Sequence, residues 1–401
     1  MAVANAAVGQ ALQMALVVGV ALGVFMGLLA RPLGVLMCGD PESIAAFTTY
    51  MRVFAFDIPF LSILVAGIAC LRGSGDTFRP MRAMILVNLV NLALGWALAG
   101  VDYKTSHMVD GALVTRVIIH NPWPFKLGVL GIALGTLLAH ATGAALILWT
   151  LARGSASLRL KKHRVLRSHW HTMRRILRVG LPNFFETLGM WLGNFPIILM
   201  AGWIGKDLVG AHILAVRVEA FSFQPGFAIG IAAAALAGQY LGAGSPRLAR
   251  RAIINCTAIA AAIMATMGFV FMFGGRGIVG VLSPQEAHLY WTPRLLFITG
   301  CVQVPFAIGI VLRQAMRGAG DVKVVMYLTW IGTYGARLPL AYLLSGVEIP
   351  WGAGVIHNPM ASLGFKPSIA WLWVALCIEV VLRCGLFVAR FIHGGWAKAR
   401  V

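Results

Sequence analysis

Carboxylates inside long apolar stretches are where this sequence could do chemistry. Glu186 sits in "LPNFFETLGMWLGNFP", and Asp57, Glu219 and Glu379 lie in comparable runs, as do Arg217, Arg337 and Arg383. A charge at mid-bilayer costs about 2.5–3.5 kcal/mol on insertion scales, so each needs a partner or a use. At about 100° per residue, Asn183, Met190 and Asn194 fall within about 80° of Glu186 and make a polar stripe. Such a stripe faces protein or water, and a desolvated carboxyl there can take a proton from one compartment and release it to the other. Alternatively the carboxylate and the two amide oxygens ligate Na⁺, with Pro182 and Pro196 freeing carbonyls or making a hinge. A buried Glu bonded only for packing is the plainer reading.

Other polar positions are weighed in the same way. Asp57 stands two residues before Pro59, where a parallel segment has Gln303 before Pro305; it is a second titrating site or a polar contact at a kink. Glu379 and Arg383 share a helix face at i, i+4 and neutralise each other. Arg217 and Glu219 point to different faces. Asn88 and Asn91, three apart, line a cavity or bond between helices. His140 and His212 read as isolated, and with no Ser–His, paired Asp or HExxH arrangement the chain does not read as an enzyme. No cysteine or histidine spacing fits a metal, and no cofactor is expected beyond a coupling H⁺ or Na⁺.

The elements that must hold these residues follow from composition. The 401-residue chain is 59% hydrophobic and 11% charged, and its apolar runs reach the roughly 20 residues needed to cross about 30 Å of hydrocarbon. Helical spans are expected at 8–30, 44–71, 83–100, 127–152, 179–204, 208–238, 252–274, 290–313, 324–345 and 368–390, with no soluble domain left over. The net charge of +20 raises the question of nucleic acid, but 21 Lys and Arg fall in alternate connections against seven in the others. That bias marks a cytoplasmic face and places the C-terminus on it. The segment 153–178 is basic enough to lie on anionic lipid.

The sequence also repeats itself. "LRGSGDTFRPM" (71–81) parallels "MRGAGDVKVVM" (316–326), "FDIPF" parallels "VQVPF", and "IIHNPWPF" parallels "VIHNPMASLGF". Six spans separate the two glycine turns, so the copies insert the same way up. In the turns, Gly73, Gly75, Gly318 and Gly320 permit reversal, Arg72 and Arg317 hold the boundary, and Asp76 and Asp321 can cap the next helix. A gating role for these Arg and Asp residues is the sharper alternative. Projecting the second copy on the first sets Met1 near Pro246, so the first copy is expected to lack a counterpart of about two spans.

Taken together, "LRGSGDTFRPM", "GFAIGIAAAALAGQYLGAGSPRLARR" and "MRGAGDVK" resemble the multidrug and toxic compound extrusion family of secondary transporters. The resemblance implies an all-α integral membrane protein of about ten helices in two pseudo-symmetric lobes of a duplicated twelve-helix fold. The lobes would be an incomplete four-helix one (1–152), the basic connector (153–178) and a six-helix one (179–401), with a V-shaped cavity. It further implies a monomer in the bacterial inner membrane that exports amphipathic or cationic compounds in exchange for H⁺ or Na⁺. By resemblance, Glu186 matches the family's cation-coupling carboxylate; Asn183 and Asn194, from the shared helix face, and Asp57, from its place in its span, are the other cation-coupling candidates. Asn88, Asn91, Met190, Gln224 and Gln303 are cavity candidates. A lipid-linked flippase of the wider superfamily would need a cavity rich in Arg, whereas basic residues at membrane depth look few; an inactive remnant is the other rival.

Overall fold

The computed structural model describes residues 2–109, 112–154, 170–351 and 354–398. Most of the basic connector, 155–169, lies outside the described residues. The chain divides into two compact units, 1–177 and 178–401.

In the first unit, α1 (Ala2–Met37), α2 (Pro41–Gly73), α3 (Phe78–Ala99) and α4 (Val129–Arg153) are the apolar runs turned into helices. Helix α2 packs on α1 and α4, and α3 packs on α4. Leu12, Leu64, Ile68, Val87, Ala139, Ile147 and Leu151 form the buried core. Small residues bring backbones together where there is no hydrophobic drive between helices in lipid. A Cβ added at Gly135 would sit 2.6 Å from the Gly95 backbone nitrogen, so any side chain there would push α4 off α3.

The second unit contains α5 (Trp170–Ile204, its first turns belonging to the first unit), α6 (Lys206–Gly242), α7 (Pro246–Leu282), α8 (Glu286–Gly300) and α9 (Gln303–Gly318). Then α10 (Val322–Trp330) passes through a π-helical turn (Ile331–Arg337) into α11 (Leu338–Ser345). A short α12 (Pro359–Ser362) and α13 (Ile369–His393) follow. Among the described residues, eight helices are long and apolar enough to cross a membrane, or up to nine with α8 and α9 as one bent span. The stretch from Val322 to Ser345 is helical throughout but changes pitch in its middle. Helix α5 runs on through Pro182 and Pro196.

The two repeats can be laid over each other element by element. Both glycine turns put a residue in the left-handed region, Gly75 at φ 90° and Gly320 at φ 92°. In both, the following Asp donates its N–H at 3.0 Å to the carbonyl five residues back, Leu71 or Met316. This is the reversal a C-terminal glycine allows, which accounts for the motif structurally. The two aspartates then diverge. Asp76 accepts from the Arg79 N–H at 3.2 Å, as a cap should. Asp321 caps nothing with its side chain, because α13 brings Arg390 to 2.9 Å from its carboxylate.

The polar connections also match, and they are not structureless. Tyr103–Val109 (β1) pairs antiparallel with Ala112–Ile119 (β2), and Ile349–Trp351 (β3) with Gly354–Ile356 (β4). Each hairpin is tied down by its His-Asn pair. The Asn121 amide donates to the Trp96 carbonyl at 2.7 Å, and Asn358 does the same to Tyr342 at 2.5 Å. His120 stands 3.5 Å from Asp102 and His357 3.0 Å from Glu348. The carboxyl of Asp102 is held below its usual range, chiefly because it accepts the Asn121 N–H, with His120 adding to the effect.

Candidate ion-coupling sites

The buried face of α5 is Glu186, Gly189, Gly193, Ile197 and Met200, a stripe at three- and four-residue spacing. Gly189 lies against the Trp330 indole and Gly193 against the Thr333 side chain, while Tyr334 donates its hydroxyl to the Gly189 carbonyl at 2.7 Å. Helix α5 is therefore seated on the π turn and the residues before it. A wide turn of this kind re-aims side chains and is frequent at functional sites.

Glu186 is fully buried and is not alone. Its Oε2 accepts from Arg317 Nε at 3.1 Å and faces Arg317 Nη2 at 2.7 Å. Its Oε1 accepts from the Thr329 hydroxyl at 2.8 Å, with Arg313 Nη1 at 4.0 Å. Arg317 belongs to the second glycine turn, so that motif reaches the acid itself. Deeper in the same unit, Glu379 is bound through Oε2 by Arg337 at 2.8 and 3.1 Å, and Arg383 Nε is 3.1 Å from its Oε1. The i, i+4 spacing of Glu379 and Arg383 is thus realised, but Arg337 is the stronger partner. Arg337 also donates to the Asn194 side-chain oxygen at 2.6 Å. Glu219 accepts from the Thr299 hydroxyl at 2.5 Å.

The polar stripe expected around Glu186 does not form. Asn183 is exposed and Asn194 is engaged by Arg337; Met190 instead receives a contact from Arg313 Nη1 to its sulfur at 3.0 Å. Gln303 is buried, accepting from the Ser222 hydroxyl at 2.6 Å and donating to the Thr299 carbonyl at 3.2 Å, so it lines no open cavity. Gln224 is exposed. Arg313, Arg337 and Arg383 are each at most 13% exposed at the side chain.

In the first unit, Asp57 on α2 is 1% exposed and its Oδ2 lies 2.7 Å from Nδ1 of His140 on α4. His140 is therefore not isolated. One turn before it on the same helix face, Thr136 accepts from the Asn91 amide at 3.0 Å, so Asn91 makes the interhelical bond. Asn88 is exposed. His212 is no solitary group either; it accepts from the Trp373 indole at 3.0 Å in the core of the second unit. The residues that sequence reasoning missed are Arg313, Thr329 and the pairing of His140; Arg317 was singled out for the turn but not as the partner of Glu186. A polar Thr136 and His140 at i, i+4 on an otherwise apolar helix was the available signal for His140.

Comparison with known proteins places this arrangement. The chain is 25% identical over 366 residues to the probable multidrug resistance protein NorM of Thermotoga maritima, covering 90% of this chain and 70% of that one. It is 25% identical over 395 residues to the multidrug resistance protein PmpM of Pseudomonas aeruginosa, covering 96% and 76%. Among solved structures, a MOP superfamily transporter from Pyrococcus furiosus, described by the reverse polarity of its binding pocket, aligns with a TM-score of 0.82. It shares 19% identity and covers 98% of this chain and 79% of that one. A MATE transporter in an outward-facing conformation aligns with a TM-score of 0.78 and 20% identity, covering 98% and 80%. The MatE family pattern matches residues 2–97 and 182–343, more than half of the sequence, and the chain belongs to the MatE family of secondary transporters.

Proposed function

We propose that the chain exports amphipathic or cationic small molecules by alternating access, in exchange for H⁺ or Na⁺, from the cytoplasm across a bacterial inner membrane. Within a MatE chain, one observation carries the reading: a fully buried carboxylate, Glu186, is bound to Arg317 of the repeated turn. A proton arriving at Glu186 cancels the charge that holds Arg317. Protonation and the grip of α5 on the end of α9 are then a single equilibrium. Because the Asn194 side-chain oxygen is taken by Arg337 and the Glu186 carboxylate by Arg317 and Thr329, few oxygens are left for Na⁺ there and H⁺ is the favoured coupling ion.

In this reading the four helices of the first unit correspond to the last four of six in the second, giving ten spans. The two glycine turns and the C-terminus face the cytoplasm, and the basic connector rests on anionic lipid. The exposed amides Asn88, Asn183 and Gln224 are available to substrate, and the chain acts as a monomer. Exchange of one H⁺ for one monovalent cation moves no net charge, so only the pH gradient drives it. A second reading, carriage of an anionic headgroup, draws on Arg313, whose nearest acid oxygen is 4.0 Å away.

The test is efflux of a cationic dye from proteoliposomes under an imposed pH gradient. Glu186→Gln is expected to abolish gradient-driven efflux while the protein remains folded; unchanged efflux removes Glu186 from the mechanism. Flipping of an anionic fluorescent lipid by the wild type, with no dye efflux, would select the second reading.

A further inference from the structure

The Asp57–His140 pair lies outside the Glu186 and Glu379 clusters. It is a carboxylate and an imidazole on different helices, 2.7 Å apart, with Asp57 1% exposed and His140 20% exposed at the side chain. Asp57 Oδ1 is buried and accepts no hydrogen bond, so one half of the carboxylate is left for another cationic or donor group. Other charge is scarce around it. Where α1 passes α2 at this level, Gly19 meets Pro59 and Ser62 and Gly23 meets Ala55, and the intervening α1 residues, Val20 to Leu22, are apolar. Helix α3 brings only the neutral amides Asn88 and Asn91, α4 brings His140, and on α2 itself the nearest charge is the exposed Arg52.

We propose that Asp57 and His140 together form a proton-binding site of the first unit that exchanges its proton for a monovalent cation. The inference rests on the antiport reading above and adds a second site to it. With imidazolium opposite carboxylate the pair is neutral and tolerates burial. When the imidazolium releases its proton to the solvent, a net charge of −1 remains among apolar helices. A cation entering beside Oδ1 restores neutrality, so proton and cation exclude each other there. The exposed edge of His140 is the route by which the proton leaves. At the equivalent place in the second repeat, Gln303 is a neutral amide satisfied by Ser222 and Thr299, and no such exchange can occur.

The experiment uses the full chain in detergent with a pH indicator and minimal buffer, adding tetraphenylphosphonium in one arm and NaCl in another. Bound tetraphenylphosphonium is measured in parallel by equilibrium dialysis. The expected result is proton release in at least one arm that falls by about one proton per protein in Asp57→Asn and in His140→Gln, any remainder being the share of Glu186. The arm that responds identifies the cation as organic or as Na⁺. Release that is undiminished in both Asp57→Asn and His140→Gln, or cation binding by the wild type without release, overturns the proposal. If neither cation binds, the antiport reading itself fails and takes the inference with it. Thermal unfolding of each variant, compared with Asn91→Ala in the same unit, separates loss of the site from loss of the fold.

Discussion

One repeat carries an acid where the other carries an amide, and the surroundings differ accordingly. Around Asp57, α2 runs unbroken past Pro59, α3 is regular, and an imidazole is the partner of the acid. Around Gln303 the corresponding rod is bent by 63° between α8 and α9. The partner of α3 is widened by a π turn, and acids and arginines are woven across α5, α6, α9 and α13. The lesson is that a duplicated scaffold does not duplicate its chemistry. The backbone turns, hairpins and pairwise packing are kept, while the ionisable groups take different positions and partners in each copy.

That contrast can be tested at three levels. The largest effect is expected at Glu379, because Glu379→Ala strands Arg337 and Arg383 in the interior. Removing one partner of a buried ionic cluster costs about 3–5 kcal/mol, to be read as a large fall in the unfolding midpoint of the detergent-solubilised protein. A drop no greater than that of an exposed control, such as Arg217→Ala, would mean that the cluster is hydrated and the units are less different than described. Next, Gln303→Asp copies the first repeat's acid into the second. It removes the amide donor to the Thr299 carbonyl and sets a carboxylate beside the Thr299–Glu219 pair, a loss of about 1–3 kcal/mol for the unsatisfied group. If the variant is as stable as wild type and gains proton release on cation addition, the two positions are interchangeable and the asymmetry is incidental.

The smallest effect lies in the first hairpin. Asp102 has its carboxyl below the ordinary value of 3.8, so the charged form is favoured by the folded state. Its contribution is present above that pH and is lost as the pH falls through the lower, folded value. Protection of the Asn121 amide, taken relative to intrinsic exchange at the same pH, should accordingly fall as Asp102 is protonated in acid, and Asp102→Asn should show the lower protection already at neutral pH. Identical exchange rates in variant and wild type would show that the hairpin is held by its strand pairing alone.

What could be read from the sequence follows from which constraints are local. Lipid demands uninterrupted apolar helices, so the long spans are visible as runs. The positive φ at Gly75 and Gly320 demands glycine, so the turns are visible as a repeated motif. Glu379 and Arg383 are visible because helix geometry alone brings them together. The pairing of Glu186 with Arg317 and of Asp57 with His140 bridges 131 and 83 residues, a matter of which helix faces which. The same Pro in "FDIPF" and "VQVPF" gives a continuous helix once and a bend once, because neighbours rather than the motif decide the outcome. The hairpins were hidden for the opposite reason, since lipid imposes no pattern on a polar connection.

Asn121 and Asn358 hook each hairpin onto the last turns of the helix that precedes it. A ribbon fastened in that way cannot swing freely; it must tilt with its helix as a pointer tilts with its shaft. A spectroscopic label on an exposed strand residue such as Val355 would therefore report the angle of the helix beneath it.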